Sequence, residues 1–169
     1  MRYLIPVRIS PGFVFLSLSL ALAAIGDDVG QSATMALRDH LHEFTLWAAR
    51  HPALAGRKVQ LPSIDLYDEL GRPVYHGDTS AGNARFLEKY PAVADDLRTD
   101  PNKPTLAESL SMVPAFKNSI AATTATRHTL IAITVAGCEK CKVQDEAIVK
   151  LRQRSQQLGI RILDLTLQP

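Results

Sequence analysis

The sequence has few cysteines and no excess of basic residues outside its N-terminus, the features that identify a disulfide-stabilised domain and a nucleic-acid-binding protein. Only two cysteines occur among 169 residues, too few for a small domain held together by disulfide bonds. Removing Arg2 and Arg8 from the 19 basic residues leaves as many basic as acidic side chains, 17 of each. Since no basic stripe or acidic block interrupts this balance, we expect no nucleic-acid partner.

Long apolar runs are also scarce, and the one clear example lies at the N-terminus. Arg2 and Arg8 precede the uncharged apolar run "FVFLSLSLALAAI", and Asp27 and Asp28 follow it. This order of charges is typical of an export signal, so residues 1–26 are predicted to direct the chain out of the cytoplasm. We therefore expect a periplasmic or otherwise extracytoplasmic protein.

The same segment leaves open whether it is removed. Ala21-Leu22-Ala23 offers a small-x-small cleavage site, whereas the uncharged stretch from Ile9 to Gly26 is about long enough to span a membrane. A buried N-terminal helix is the third interpretation. Any membrane contact is expected only through this possible anchor.

Residues 30–169 are predicted to form one α/β domain. Apolar side chains recur at helical spacing between Ser32 and Ala49, which predicts an N-terminal packing helix. Residues 60–90 predict a β-hairpin with Gly71 in its turn, followed by a short helix beginning near Ser80. Residues 91–128 are rich in proline and small residues and are predicted to be a connecting region with short helices.

The segment 129–167 gives the clearest pattern. "TLIAITVA" and "IRILDLTL" are apolar runs typical of buried strands, and a helix ending at Gly159 is predicted between them. This βαβ unit should have parallel strands. The helix is expected to turn five side chains inward: Val143, Ala147, Ile148, Leu151 and Leu158.

Cys138 and Cys141 lie at the predicted start of that helix. Unpaired backbone N–H groups and the positive end of the helix dipole favour a thiolate there, so Cys138 is the candidate nucleophile. Cys141, one turn later, can attack a mixed disulfide formed at Cys138 and is the candidate resolving thiol. Of the charged neighbours, Glu139 opposes the thiolate, whereas Lys140 and Lys142 support it.

Other roles fit Cys138 and Cys141 less well than thiol-disulfide exchange. A structural disulfide between such close neighbours constrains the unfolded chain little, and c-type haem attachment needs a histidine where Lys142 stands. Zinc needs two further ligands, and soft copper on the two thiolates is a further alternative. No metal or cofactor is expected, because the histidines are scattered, with His40 and His42 expected on the surface and His76 and His128 expected to be solvated.

The stretch "GCEKCKVQDEAIVKL" between two apolar strands resembles the thioredoxin superfamily over residues 129–167. The resemblance implies a central mixed sheet flanked by helices. It departs from the family at Glu139-Lys140, where Gly-Pro is usual, and at Gly137, where tryptophan is usual.

The resemblance also implies a ββα unit whose first strand begins at a cis-proline beside the cysteines. Residues 60–90 look like that unit, with Pro62 at its start, so we predict a circularly permuted thioredoxin-like domain in which ββα precedes βαβ. By resemblance, Leu61, Pro62 and Gly137 become candidates for contacts with substrate.

The function expected from these patterns is thiol-disulfide exchange outside the cytoplasm, with protein thiols or disulfides as partners. A non-catalytic adaptor in an exported or envelope assembly is the main alternative. A thiol-based metal carrier is a further one.

Overall fold

The computed structural model describes residues 30–51, 58–116 and 126–169. Within these ranges the chain forms, in order, β1 (Gly30–Ala36), α1 (Leu37–Ala49), β2 (Ser63–Asp68), β3 (Pro73–Gly77), α2 (Ser80–Lys89), α3 (Leu106–Ser111), β4 (His128–Val135), α4 (Lys142–Arg152), α5 (Ser155–Leu158) and β5 (Ile160–Gln168). Short 3-10 turns lie at Ala94–Asp96 and Glu139–Cys141.

The predicted export segment, residues 1–26, lies outside the described residues. Among the described helices, none has the length and apolar character needed to cross a bilayer.

The strands form one mixed sheet in the order β1-β5-β4-β2-β3. β1, β5 and β4 run parallel, while β2 and β3 are antiparallel to their neighbours. Helices flank this sheet, which confirms the predicted α/β class. The observed element order, a ββα unit before a βαβ unit, is also the predicted one.

The βαβ unit forms where the sequence predicted it. β4 and β5 pair without interruption from His128 opposite Ile160 to Val135 opposite Leu167, because apolar residues on both faces suit strands covered on both sides. Gly159 ends the helical segment with a left-handed φ of 61°, a conformation that glycine adopts without steric cost.

The β2–β3 hairpin is held by its turn. The Asp68 carboxylate accepts hydrogen bonds from the backbone N–H groups of Leu70 and Arg72, and Gly71 has a φ of 71°. Such aspartate-centred turns bring two strands into antiparallel register, and α2 follows directly.

Two apolar clusters cover the two faces of the sheet. The first packs α2 and α4 against Ile64, Leu66, Leu130, Ala132, Ile160 and Ile162. The second packs the region around α3 against Ile131, Ile133, Leu163, Leu165 and Leu167. Alternation along each strand therefore assigns successive residues to opposite faces.

Two predictions about the helices are wrong. Residues 32–36 belong to β1 and not to the N-terminal helix, which begins at Leu37, because pairing with β5 provides hydrogen bonds that local pattern does not reveal. Val143 is 55% exposed, whereas Gln144 is fully buried. The inner face of α4 is thus rotated by one residue at its start relative to the predicted face.

Candidate functional site

The two cysteines lie at the carboxyl end of the parallel strands, where β4 leaves the sheet. Ala136 donates its backbone N–H to the carbonyl of Leu167, and the Cys138 N–H bonds to the carbonyl of Val135 at 3.1 Å. Gly137 between them has a φ of 75° and is exposed. A tight turn therefore places Cys138 immediately beyond the edge of the sheet.

Cys138 and Cys141 form a disulfide bond, and no free cysteine is present. Cys138 precedes the 3-10 turn Glu139–Cys141, which continues into α4 at Lys142. Cys138 is half-buried, whereas Cys141 is only 1% exposed. Of the two cysteines, Cys138 is therefore the one with surface open to solvent.

The charged residues around the disulfide are exposed. Lys142 Nζ lies 2.6 Å from a carboxylate oxygen of Glu139, so the cation expected to support a thiolate is already paired with the anion expected to oppose it. Lys140 is exposed and has no ion-pair partner in the described part of the chain. Of the two candidate supporting lysines, Lys140 is thus the one whose charge is not locally compensated.

Leu61 and Pro62 approach the same end of the sheet. The Leu61–Pro62 peptide bond is cis, the isomer that the resemblance implied, and Pro62 is buried. Ser63, the first residue of β2, pairs with Ile133 near the end of β4. The start of β2 and the segment leading to Cys138 are therefore neighbours, although Ser63 and Ile133 are 70 positions apart in the sequence.

A buried amide pair fixes the start of α4 and was not found from the sequence. Asn83 of α2 donates its side-chain N–H to the Gln144 side-chain oxygen at 2.5 Å, and neither residue is exposed to solvent. The backbone N–H of Gln144 also donates to the Ser80 hydroxyl at 3.3 Å. The helix that follows Cys141 is thus joined to the ββα unit. In the sequence, the one signal of this contact is that Asn83 and Gln144 are polar residues on otherwise apolar helix faces.

The half-buried carboxyl group of Asp164 lies on the same side of the sheet as α4. Burial raises the pKa of Asp164, the Arg152 guanidinium with which it forms an ion pair lowers it, and Asp145 raises it; the net shift is upward. Burial also raises the pKa of Asp145. Neither acid is identifiable from the sequence, because Asp164 lies within an apolar strand and Asp145 on a helix, and neither position indicates a partner.

The histidines do not converge on the cysteines. His40 is buried, contrary to the surface position expected for it, because α1 packs that side against the sheet. His128 is also buried rather than solvated and contacts the Tyr90 hydroxyl at 3.0 Å. His76 is bound to Asp65 at 2.7 Å. Across residues 30–51, 58–116 and 126–169, no cluster of three or more histidine, cysteine, aspartate or glutamate side chains could hold a metal ion.

The chain was compared with family models, curated proteins and solved structures, and none of the three comparisons gave a match.

Proposed function

We propose that this chain is an exported thiol-disulfide exchange protein in which Cys138 is the attacking thiol and Cys141 the resolving thiol. The observation that carries the proposal is the unequal exposure of the two cysteine residues at the start of a helix. A reachable first thiol next to a buried second one restricts the mixed disulfide to one sulfur and keeps the other within one turn for resolution. The ion pair of Glu139 with Lys142 leaves Lys140 as the candidate that lowers the pKa of Cys138 in the reduced form.

The chemistry proceeds by two sulfur displacements. In the oxidising direction, a thiolate of the partner attacks the Cys138 sulfur, the Cys138–Cys141 bond breaks, and Cys141 leaves as a thiolate that takes a proton. A second thiolate of the partner then attacks the partner's sulfur atom in the mixed disulfide, which forms the partner's disulfide and releases Cys138 as a thiolate. The partner loses two electrons and gains a disulfide, while the protein gains them as two thiols. The reverse sequence reduces a partner disulfide.

The proposed fold assignment is a circularly permuted thioredoxin-like domain. Its support is the juxtaposition of β2 with β4 at the cysteine end of the sheet, together with the ββα-before-βαβ order of the elements. In this assignment Leu61, Pro62 and Gly137 contact the partner's backbone beside the disulfide. The protein partners and the extracytoplasmic location belong to the same proposal and rest on residues 1–26 and on the redox chemistry.

The decisive experiment traps the mixed disulfide. The full-length chain is reduced and mixed with insulin as a disulfide probe, in three forms: unchanged, Cys141→Ser and Cys138→Ser. We expect Cys141→Ser to accumulate an adduct that mass spectrometry assigns to Cys138, because the resolving thiol is missing. The unchanged chain should form the adduct only transiently, and Cys138→Ser should form little.

Equal adducts with both single variants, or none with either, would contradict the assigned roles. A second measurement, the rate of alkylation against pH, addresses the non-catalytic adaptor. An accelerated Cys138 with a depressed pKa is expected for exchange chemistry, and Lys140→Ala should raise that pKa whereas Lys150→Ala should not. Two thiols that both react slowly at neutral pH would favour the adaptor.

A further inference from the structure

A cavity of about 310 Å³, open on one side, lies on the sheet face opposite α2 and α4. Ile131 and Ile133 of β4 form its floor, while Phe44 and Trp47 of α1 and Met112 just after α3 form apolar walls. Pockets for small organic ligands begin at about 300 Å³ and combine apolar walls with a few polar groups that orient the ligand. The cavity therefore has the size and lining of a site for a small organic molecule.

Helix α1 places a histidine in the wall of this cavity. His40, Phe44 and Trp47 all line it, and their spacings of four and three residues put them on one face of the helix. His40 is 4% exposed, whereas the neighbouring Leu41 is 40% exposed. The helix thus buries a polar ring and leaves an apolar side chain in solvent, which packing of the core alone does not explain.

The buried His40 ring has an unpaired nitrogen. Its Nδ1 atom is buried and has no hydrogen-bond partner among the residues that the structure describes. Buried side-chain polar atoms are nearly always hydrogen-bonded, so an unpaired one in the wall of a cavity marks a position for a ligand atom. Burial also lowers the pKa of His40, which favours the neutral ring. In a neutral ring, Nδ1 donates or accepts one hydrogen bond, depending on the tautomer.

A second nitrogen in the same wall is directed to the protein. Nε1 of Trp47 is buried without a well-formed hydrogen bond, but it lies beside the Glu108 carboxylate. Burial raises the pKa of Glu108, hydrogen bonds from Thr105 lower it and Trp47 lowers it further, with a net downward shift. Nδ1 of His40 is therefore the buried nitrogen that a ligand would meet.

The charges in the lining do not favour an ion of either sign. Lys58 and Lys103 line the cavity, and so do Asp65 and Asp78, so lysines and aspartates are equal in number. A carboxylate carries only acceptors and an ammonium group only donors, whereas a hydroxyl group both donates and accepts. A hydroxyl group can therefore pair with the unpaired Nδ1 in either tautomer.

We propose that this cavity binds a small neutral molecule with a compact apolar body and one hydroxyl group, the hydroxyl being bonded to His40 Nδ1. The apolar body packs on Ile131, Phe44 and Met112, and burial of its surface supplies most of the affinity. The hydrogen bond makes the hydroxyl group preferred, because it satisfies a buried nitrogen that is otherwise unpaired. This site is separate from the disulfide and does not depend on its chemistry.

The test uses probes of similar size that differ at one end: 2-phenylethanol, propylbenzene, 2-phenylethylamine and phenylacetate. Binding to the full-length oxidised chain is measured at neutral pH by calorimetry and by the fluorescence of Trp47, the single tryptophan of the sequence. We expect the alcohol to change this fluorescence on binding and to bind more tightly than the amine and the acid. The ratio of its affinity to that of propylbenzene, which has a methyl group in place of the hydroxyl, is the reference for the variants.

Variants at position 40 measure the hydrogen bond. His40→Leu removes the ring nitrogen, so the ratio of alcohol to propylbenzene affinity should fall about two- to tenfold. His40→Asn keeps a polar atom near the position of Nδ1 and should retain most of the ratio. Leu41→Ala, on the exposed side of the same helix, is the matched control and should leave the ratio unchanged.

Circular dichroism shows whether the variants fold. If His40→Leu does not, nuclear Overhauser contacts between the alcohol and the His40 ring of the unchanged chain decide the matter, and their absence counts against the proposal. No binding of the alcohol, tighter binding of either ion, or an unchanged ratio in His40→Leu would each overturn it. The Cys138→Ser chain should bind the alcohol normally, so this result is independent of the proposed exchange activity.

Discussion

Gly77 provides a quantitative test of the contact that joins the two halves of the domain. It is the last residue of β3, and a methyl group added there would overlap the Asn83 side-chain oxygen and lie 3.0 Å from Asn83 Cγ. Asn83 is itself bonded to Gln144 at the start of α4, with no exposure to solvent. Gly77→Ala must therefore displace Asn83 and break the amide pair.

The expected cost follows from the burial of both amides. Leaving a buried polar group without its partner costs about 1–3 kcal/mol, and overpacking adds a cost of similar size, about 1–3 kcal/mol. Because each cost is at least about 1 kcal/mol, we expect Gly77→Ala to lower the free energy of unfolding by at least about 2 kcal/mol. In an Asn83→Ala background both Asn83 atoms are gone and the Tyr75 hydroxyl oxygen, 2.9 Å from the added methyl group, is the close contact that remains. The same change should therefore cost clearly less than it does in the unchanged chain.

The measurement is urea unfolding of the four chains of this double-mutant cycle, with the disulfide intact. In thermal unfolding, at about 2–4 °C per kcal/mol, Gly77→Ala alone should lower Tm by at least about 4 °C. Gly137→Ala is the matched control, because its φ of 75° is unfavourable for alanine but nothing lies within 4 Å of the added methyl group. Its cost should be the same in both backgrounds. If the changes in the free energy of unfolding caused by Gly77→Ala and Asn83→Ala simply add in the double variant, as expected for the control, Asn83 is not the residue that the methyl group displaces. That outcome would refute the reasoning.

Three further predictions concern stability. The folded-state pKa of Asp164 is raised above its ordinary 3.8, so the folded chain holds a proton that the unfolded chain has lost, and the free energy of unfolding falls as pH rises from about 3.8 through the folded pKa. Asp164→Asn should remove this fall. Parallel profiles of the free energy of unfolding against pH for the two chains would contradict the prediction. Gly159→Ala should lower stability by about 1–2 kcal/mol because φ is 61°, with Gly159→Asn less affected; equal Tm values for all three chains would exclude a role for the backbone conformation. Thr105→Ala removes a capping box with Glu108 at the start of α3 and should cost about 0.5–2 kcal/mol in thermal unfolding, while Ser111→Ala, at the last residue of that helix, should cost less.

Local sequence patterns predicted the parts of the fold whose causes are local. The apolar runs of β4 and β5, the turn around Asp68 and the glycine after α5 each act within a few residues, so period and turn chemistry identify them. The predicted order of a ββα unit and a βαβ unit follows from these signals. Cys138 and Cys141 were found in the same way, because their spacing alone brings them within one helical turn.

Contacts between distant segments could not be predicted. Residues 32–36 lack strong strand character and become β1 only because β5 offers an unpaired edge. Gln144 is buried in place of Val143 because Asn83 meets it from another helix. His40 is likewise buried because α1 covers the sheet face that contains the cavity.

The sequence by itself determined where the cysteine pair is placed, since a helix start and a three-residue spacing depend on neighbouring residues only. The tertiary structure alone decided which of the two cysteines is exposed to solvent and which is buried. It also decided that Asn83 and Gln144, far apart in the chain, meet as a buried amide pair. Exposure, ion pairing and cavities depend on which segments meet in space, and those meetings are set by packing of the whole sheet rather than by any local run of residues.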